Sequence, residues 1–510
     1  MKINLNKNEQ RILLFSVFVL SICGIIYELV LASLATYLFG NPVQQYSVTI
    51  GVFLSSMGLG SYLSRFIIKN LVKTFIIIEV TLGLIGGLSV IILNYLFSFS
   101  PSFYLLHLFF LIVIGTLVGL EIPLLTRILK KYGALKDILS NVLTLDYIGG
   151  LAGSLLFPLL LFPFLGRFLT SITVGLVNII VSIIVIAKVN YPEKKISDYV
   201  FPVISAAVMA LLIFNSHWLT AFIQNKMYYD DIVFSKRSKY QEIVLTRNGA
   251  DLRLYLDGSL QFSTSDEYRY HEMLIFPGLF QREGSGKNVL VLGGGDGLAV
   301  RELLKSKSVA SVTLVELDAL MINLAMNNST ISYINGNSLA EPRVKVITGD
   351  AYDFLIKNRK PFDLIIADFP DPHDETIAKL YTDQFFKLVK RSLREDGVFV
   401  TQSTSPLSAR EAFWCINKTM GKVFKHILPY HTYVPSFGSW GFNMASQVEL
   451  TEEPVFTGKY KGEFRYFSVS VFKSALCFPA DSGFIDTEVN TFNKPVLYRY
   501  YLKGWKNSDF

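Results

Sequence analysis

Apolar positions follow two different patterns along this chain. Up to about residue 215 they run in long blocks with almost no charge; beyond it they form short runs bounded by Gly, Asp, Asn and Pro. Spanning the apolar core of a bilayer takes ~20 residues, because each helical residue advances only ~1.5 Å. The long blocks predict seven such helices, roughly 12–39, 44–68, 74–97, 103–126, 139–163, 168–187 and 199–215. The first is too long, and too interrupted by Glu28, to be a cleaved leader. Gly51, Gly58, Gly60, Gly83, Gly86, Gly87, Gly149, Gly150 and Gly153 predict closely packed helices.

The second pattern predicts strands. Tyr240–Leu245 and Leu252–Leu256 read as a pair joined near Asn248-Gly249, and another strand follows Asp257-Gly258. From residue 288, strands at 289–292, 312–315, 344–347, 363–367 and 397–401 alternate with helical stretches, the order of a largely parallel, doubly wound sheet. The predicted fold is an α-helical transmembrane bundle (1–215), a small β-subdomain (216–285) and an α/β Rossmann-like, class I methyltransferase-like domain (286–510).

Charge follows the same division. Residues 1–215 carry 14 Lys/Arg against 8 Asp/Glu, and residues 216–510 carry 34 against 33. The excess lies in alternate loops: Lys2, Lys7 and Arg11; Arg65, Lys69 and Lys73; Arg127, Lys130, Lys131 and Lys136; Lys188, Lys194 and Lys195. That is a positive-inside pattern with an inside N-terminus, not a nucleic-acid footprint. Seven crossings would put the α/β half outside the cell. Segment 199–215 is short and contains Pro202, and an interfacial or re-entrant path there would restore an inside domain. The three cysteines have neither zinc nor disulfide spacing, and no metal ligand set is expected.

The chemistry concentrates where strands end. Val289–Leu292 runs into Gly293-Gly-Gly-Asp-Gly297, a strand turning sharply into a helix. The next strand ends at Glu316, placed to accept the hydroxyls of a ribose. Asp350 and Asp368 end the following strands, and Asp371 lies in a loop constrained by Pro370 and Pro372. Any one acid has a plain alternative as a helix cap. Four at equivalent strand ends, Asp296, Glu316, Asp350 and Asp368, read better as a binding edge. Clustered carboxylates repel one another unless a cation enters, so the expected ligand is a nucleoside with a positively charged group.

The Gly-rich turn and hydroxyl-binding acids alone fit a generic S-adenosylmethionine methyltransferase. The stretch Leu256–Met273, with Tyr270-His271-Glu272, resembles instead the spermidine synthase (polyamine aminopropyltransferase) family. The resemblance extends through Tyr240-Gln241, Gly293–Gly297, Glu316, Gly349-Asp350 and Asp368–Pro372. The apolar half, with Gln45-Tyr46-Ser47 and Gly119–Leu125, looks like the membrane-embedded branch of that family. The resemblance implies that Gln241, Glu316, Asp350 and Ala351 hold the adenosine of decarboxylated S-adenosylmethionine, a co-substrate, with no cofactor. It implies that Tyr270, His271, Asp296 and Asp371 line the amine and aminopropyl sites, and that Asp368 accepts the proton. In two places this chain departs from the family. His373-Asp374-Glu375 replaces a Gly-Pro pair that helps close the site, and Ala351 stands where Gly is common.

The implied partners are putrescine or a related amine and the lipid bilayer, with no nucleic acid; a homo-oligomer stays open. Trp440 is expected to be core. Glu28, Glu79, Glu121 and Asp146, within or at the ends of apolar helices, read equally as a polar path for a polycation or as interfacial groups paired with Lys or Arg. A polyamine transporter or sensor with a retained synthase fold is therefore the alternative from another class.

Overall fold

The computed structural model describes residues 7–39, 42–97, 103–192, 194–216, 228, 230–454 and 464–507, so Lys2 lies outside the described residues. The chain forms two compact units, Met1–Ile232 and Val233–Phe510.

In the first unit the apolar blocks are helices α1 (Lys7–Phe39), α2 (Pro42–Leu63), α3 (Leu71–Phe97), α4 (Phe103–Leu129), α5 (Leu135–Leu156), α6 (Phe162–Lys188) and α7 (Val200–Phe214). Among the described residues, six helical stretches are long and apolar enough to cross a membrane. One of them, Leu135–Lys188, joins α5 to α6 through a wide helical turn at Phe157–Leu161. The predicted gap at 164–167 is therefore a kink and not a loop. Pro158 and Pro163 remove backbone donors there, and Gly166 adopts φ 66°, which only glycine takes without strain.

Helix α2 packs on α4, α3 on α6 and α1 on α5. A Cβ on Gly60 would stand 2.0 Å from the Thr116 carbonyl oxygen, and one on Gly119 2.1 Å from that of Met57, so α2 and α4 touch backbone to backbone. Gly51 and Gly58 were expected to pack in the same way but face open space. Glu79 and Glu121 correct another expectation. Each is buried, and they hydrogen-bond to one another across α3 and α4, not to Lys or Arg. Asn178 on α6 donates to Glu79 at 3.3 Å.

The second unit begins with a four-stranded sheet, β1 (Asp231–Arg237), β2 (Glu242–Asn248), β3 (Asp251–Leu256) and β4 (Ser259–Ser263), in that order. Strands β2 and β3 pair antiparallel with Asn248 opposite Asp251, the predicted turn. Helix α8 (Glu267–Leu279) follows.

The main sheet has β5 (Lys287–Gly293), β6 (Val309–Glu316), β7 (Val344–Thr348), β8 (Phe362–Asp368), β9 (Leu393–Gln402), β10 (His426–Val434) and β11 (Gly438–Ser446). Their order is β10-β11-β9-β8-β5-β6-β7. The five predicted strands form its parallel part, and the antiparallel β10–β11 hairpin, unforeseen from the sequence, forms one edge. Side chains alternate between two cores: Val289 and Val291 enter one, Leu290 and Leu292 the other. Burying both faces explains the uninterrupted apolar runs, each fully buried Val or Leu contributing ~1.5–3 kcal/mol. The chain leaves β5 toward β6 and β7, then returns to β8 on the other side. The switch point therefore lies between β5 and β8, where Gly293 pairs with Asp368.

Candidate active site

A cavity of about 510 Å³ opens at that switch point. It is lined by Gln241, Tyr270, His271, Asp296, Glu316, Asp350, Ala351, Asp368 and Asp371, so all nine sequence-predicted residues meet in one place. The acids stand in sheet order: Asp350 beyond β7, Glu316 on β6, Asp296 after β5, Asp368 on β8, and then Asp371.

The glycines are needed by the acids as well as by any ligand. A Cβ on Gly293 would stand 2.3 Å from the Asp368 carbonyl oxygen, and one on Gly295 would press into the Glu316 side chain at 2.6 Å. The strand-end carboxylates fit because this loop has no side chains beneath them.

Capping and cavity lining turn out not to be alternatives. Asp296 accepts the Leu298 N–H at 2.8 Å, and Asp350 caps the helix Ala351–Lys357 through the Tyr352 N–H at 2.7 Å. Both still face the cavity. Glu316 accepts the Asp318 N–H at 2.9 Å, and Gln241 donates to Asp318 at 3.1 Å. Asp368 accepts the Tyr270 hydroxyl at 2.5 Å and caps nothing.

A cation already sits among these acids. Burial works against protonation of His271, but the hydrogen bond and charge of Glu267 outweigh it and hold the imidazole near about 9. The Nδ1–Glu267 distance is 2.8 Å, and Arg301 also bonds Glu267 at 2.9 Å. Burial alone would raise Glu267, yet these two partners hold it near about 2. In the third member of the stretch, Glu272, the carboxylate accepts the backbone N–H groups of Arg465, Tyr466 and Phe467 at 2.7–2.9 Å, a structural task. Burial raises Asp368 and Asp371 to about 6 each, and Glu316 to about 7. It raises Asp296 as well. A cavity with this lining favours a cationic ligand.

Sequence reasoning missed the partners of Asp371. Gln402 Nε2 lies 3.3 Å from Asp371 Oδ1 and 2.7 Å from the Phe369 carbonyl; Thr404 Oγ1 lies 3.2 Å from Oδ2. Tyr501 also bonds Asp371. Gln402 ends β9 and obeys the same strand-end rule as the acids, a usable signal that lacked only a charge. Thr404 is held at φ 59°, unusual for a β-branched residue, by Gln402 and Gly441. Trp440, expected to be core, is half-buried and lines the cavity beside Phe437. In the loop that departs from the expected Gly-Pro pair, Asp374 caps Glu375–Ala378, and the His373 ring bonds the Asp371 carbonyl at 2.9 Å.

Comparison with known proteins identifies the family of the chain. Residues 267–454 match the spermine/spermidine synthase domain family. The polyamine aminopropyltransferase of Leptospira interrogans is 42% identical over 500 residues, covering 97% of this chain and 99% of the relative. That of Oceanobacillus iheyensis is 37% identical over 516 residues, covering 98% of each. A crystal structure of spermidine synthase with the transition state analogue AdoDATO covers 49% of this chain and 85% of that one, at 29% identity and a TM-score of 0.45. Similarity that runs through both units, at up to 42% identity among these relatives, places the chain in the polyamine aminopropyltransferase family.

Proposed function

We propose that the cavity transfers the aminopropyl group of decarboxylated S-adenosylmethionine to putrescine or a close diamine, giving spermidine and methylthioadenosine, with Asp368 as proton acceptor. Glu316, Asp350 and Gln241 hold the adenosine, with Ala351 beside it. Tyr270, His271, Asp296 and Asp371 line the aminopropyl and amine positions. One observation carries this reading: Asp368 is half-buried and accepts the Tyr270 hydroxyl at the switch point, between the acids of β5–β7 and Asp371.

The chemistry follows from those groups. A primary amine has a solution pKa near ~10 by analogy with lysine, so it arrives as an ammonium ion and must lose a proton before attack. Asp368, raised to about 6, is ionised at neutral pH and stands at the switch point. The freed lone pair forms an N–C bond with the methylene beside the sulfonium. The C–S bond breaks, its electron pair stays on sulfur, and methylthioadenosine leaves neutral. General-base assistance contributes ~10²–10⁴-fold, and alignment of the two substrates supplies most of the rest.

The test is incubation of the purified full chain with decarboxylated S-adenosylmethionine and a panel of amines, with products identified by mass. Spermidine with equimolar methylthioadenosine is the expected result. Neither product with any amine, or methyl transfer from labelled S-adenosylmethionine, would overturn the assignment.

We further propose that the helical unit lies in a lipid bilayer. Phe15, Leu54, Leu105, Phe109, Leu151 and Leu159 are all more than half exposed, a surface suited to acyl chains and not to water. The 54-residue stretch Leu135–Lys188 is far longer than one crossing needs and holds two. The last of the six stretches, Ile196–Phe214, is the shortest at 19 residues, about 28 Å against a ~30 Å core, and its α-helical part α7 has 15 residues with Pro202 in its first turn, so we place it at the interface. Helices α1–α6 then make six crossings, which return the chain to the N-terminal, cytoplasmic side. Retention in membranes after an alkaline wash, with the α/β unit cleaved by protease only from the cytoplasmic face, is expected; release by alkali would refute it.

A further inference from the structure

Polar groups from four helices meet inside the helical unit. Glu79 on α3 and Glu121 on α4 are hydrogen-bonded to one another, and Asn178 on α6 donates to Glu79 at 3.3 Å. Tyr27 on α1, and Cys23 one turn before it, sense the charge of both carboxyl groups. Glu79, Glu121, Asn178 and Tyr27 are each at most 4% exposed. The start of α3 and the ends of α4 and α6 are flanked by the basic loops. Glu79 and Glu121 lie eight residues from those ends and Asn178 ten, which is ~12–15 Å deep and near the middle of a ~30 Å core.

The cluster is short of positive partners. One oxygen each of Glu79, Glu121 and Asn178, together with the Tyr27 hydroxyl, has no partner among the described residues. Three of these four are carboxyl or amide oxygens, and burying such oxygens without a donor or a cation is costly. No Lys or Arg acts on either acid among the described residues.

The surroundings select what can enter. Gly83, one turn from Glu79, and Gly175, one turn from Asn178, bring α3 and α6 together backbone to backbone. A Cβ on Gly83 would stand 2.6 Å from the Gly175 carbonyl oxygen, and one on Gly175 2.3 Å from that of Gly83. A Cβ on Gly86 would press into the Tyr27 ring at 2.6 Å. Such packing suits an ion of atomic size and not the carbon chain of a diamine. No group of three or more His, Cys, Asp or Glu side chains among the described residues is arranged to hold a metal, which disfavours zinc and other transition metals. Mg²⁺ keeps several of its waters, which an apolar bundle does not supply.

We propose that Glu79, Glu121, Asn178 and Tyr27 bind one alkali-metal cation, Na⁺ or K⁺, inside the helical bundle through oxygen atoms alone. The cation draws two carboxyl groups, an amide and a hydroxyl onto one point and so ties α1, α3, α4 and α6 together. The site is separate from aminopropyl transfer. Only its depth rests on the bilayer reading, which the alkaline wash tests independently.

The experiment measures radiolabelled Na⁺ retained by the purified full chain in detergent at neutral pH, with radiolabelled Rb⁺ standing for K⁺ in a parallel arm. Unlabelled NaCl, KCl, choline chloride and putrescine serve as competitors. One ion per chain is expected, displaced by an alkali cation but not by choline or putrescine, and the arm with the lower Kd identifies the ion. Glu79→Gln or Glu121→Gln removes a charge and is expected to raise Kd at least ~10-fold; Tyr27→Phe removes one neutral oxygen and is expected to raise it ~5-fold. Methylthioadenosine release and circular dichroism should stay unchanged in all three. Because the ion binds the folded chain, its chloride salt should raise the unfolding temperature of wild type above that in choline chloride at equal ionic strength, and not that of Glu79→Gln. No ion retained by folded wild type in either arm would overturn the proposal, as would an unchanged Kd in the three variants or displacement by putrescine as effective as by the alkali salts. If the glutamate variants do not fold, the wild-type competition and Tyr27→Phe decide.

Discussion

The two units bury acids in opposite ways. In the α/β unit Asp371 has Gln402, Thr404 and Tyr501 as donors, Asp368 has Tyr270, and both face an open cavity. In the helical unit Glu79 and Glu121 are buried and bond each other, with Asn178 as a further donor to Glu79. One oxygen of each is without a partner among the described residues. Desolvating a carboxylate is costly in either place. In the first unit the cost is offset by fixed donors and by a substrate that brings positive charge. In the second, the two carboxyl groups meet each other and Asn178, with no Lys or Arg bridged to them among the described residues. The same residue type thus serves as machinery in one half and as a buried polar contact in the other.

The largest expected effect that would sharpen this contrast is on turnover. Asp368→Asn is expected to lower kcat by ~10²–10⁴-fold, measured as methylthioadenosine released, with the far-ultraviolet circular dichroism unchanged. A variant within a few-fold of wild type would remove Asp368 from the proton-transfer step.

A smaller effect is expected on stability, with the opposite sign. The folded Asp368 carboxyl sits near about 6, above its ordinary unfolded value near ~3.9. Between those values the folded chain keeps a proton that the unfolded chain releases. Stability therefore falls as pH rises through this window, and above about pH 6 the full penalty applies. Asp368→Asn removes it and is expected to stabilise the α/β unit by ~2 kcal/mol at pH 7.5, with the gain shrinking toward pH 5. Denaturant melts of both proteins at the two pH values measure this, and a gain that grows on acidification would contradict the sign.

The smallest effect is expected in the other half. Glu79→Gln and Glu121→Gln keep the shape and a hydrogen bond, and aminopropyl transfer should stay within about twofold of wild type. A loss comparable to that of Asp368→Asn would erase the distinction between the two kinds of buried acid.

Much of the α/β unit was legible because a parallel sheet buried on both faces leaves apolar runs punctuated by Gly and Asp. Val289–Leu292 and Leu364–Ala367 could be read from their own residues. The β10–β11 hairpin could not, since its Tyr430-His-Thr-Tyr433 stretch mixes polar and apolar positions at a sheet edge. The strand-end acids were visible because they share one topological edge. Family resemblance, not spacing, supplied Tyr270 and His271. Tyr501 was invisible: it reaches Asp371 only through the tertiary fold, and nothing adjacent to it in sequence marks it. Gly51 and Gly58 show the reverse error, since glycine on an apolar helix does not reveal which face meets a neighbour.

The pairing of Gly293 with Asp368 has a consequence for what variation in this enzyme can reach. Under the proposed assignment, the loop that would receive the donor and the base that would serve the acceptor grow from adjacent strands, whose backbones are held at the inter-strand spacing of a sheet, ~4.8 Å. That ruler is built of backbone hydrogen bonds and is indifferent to which side chains surround it. The surrounding loops can vary in sequence without altering that spacing.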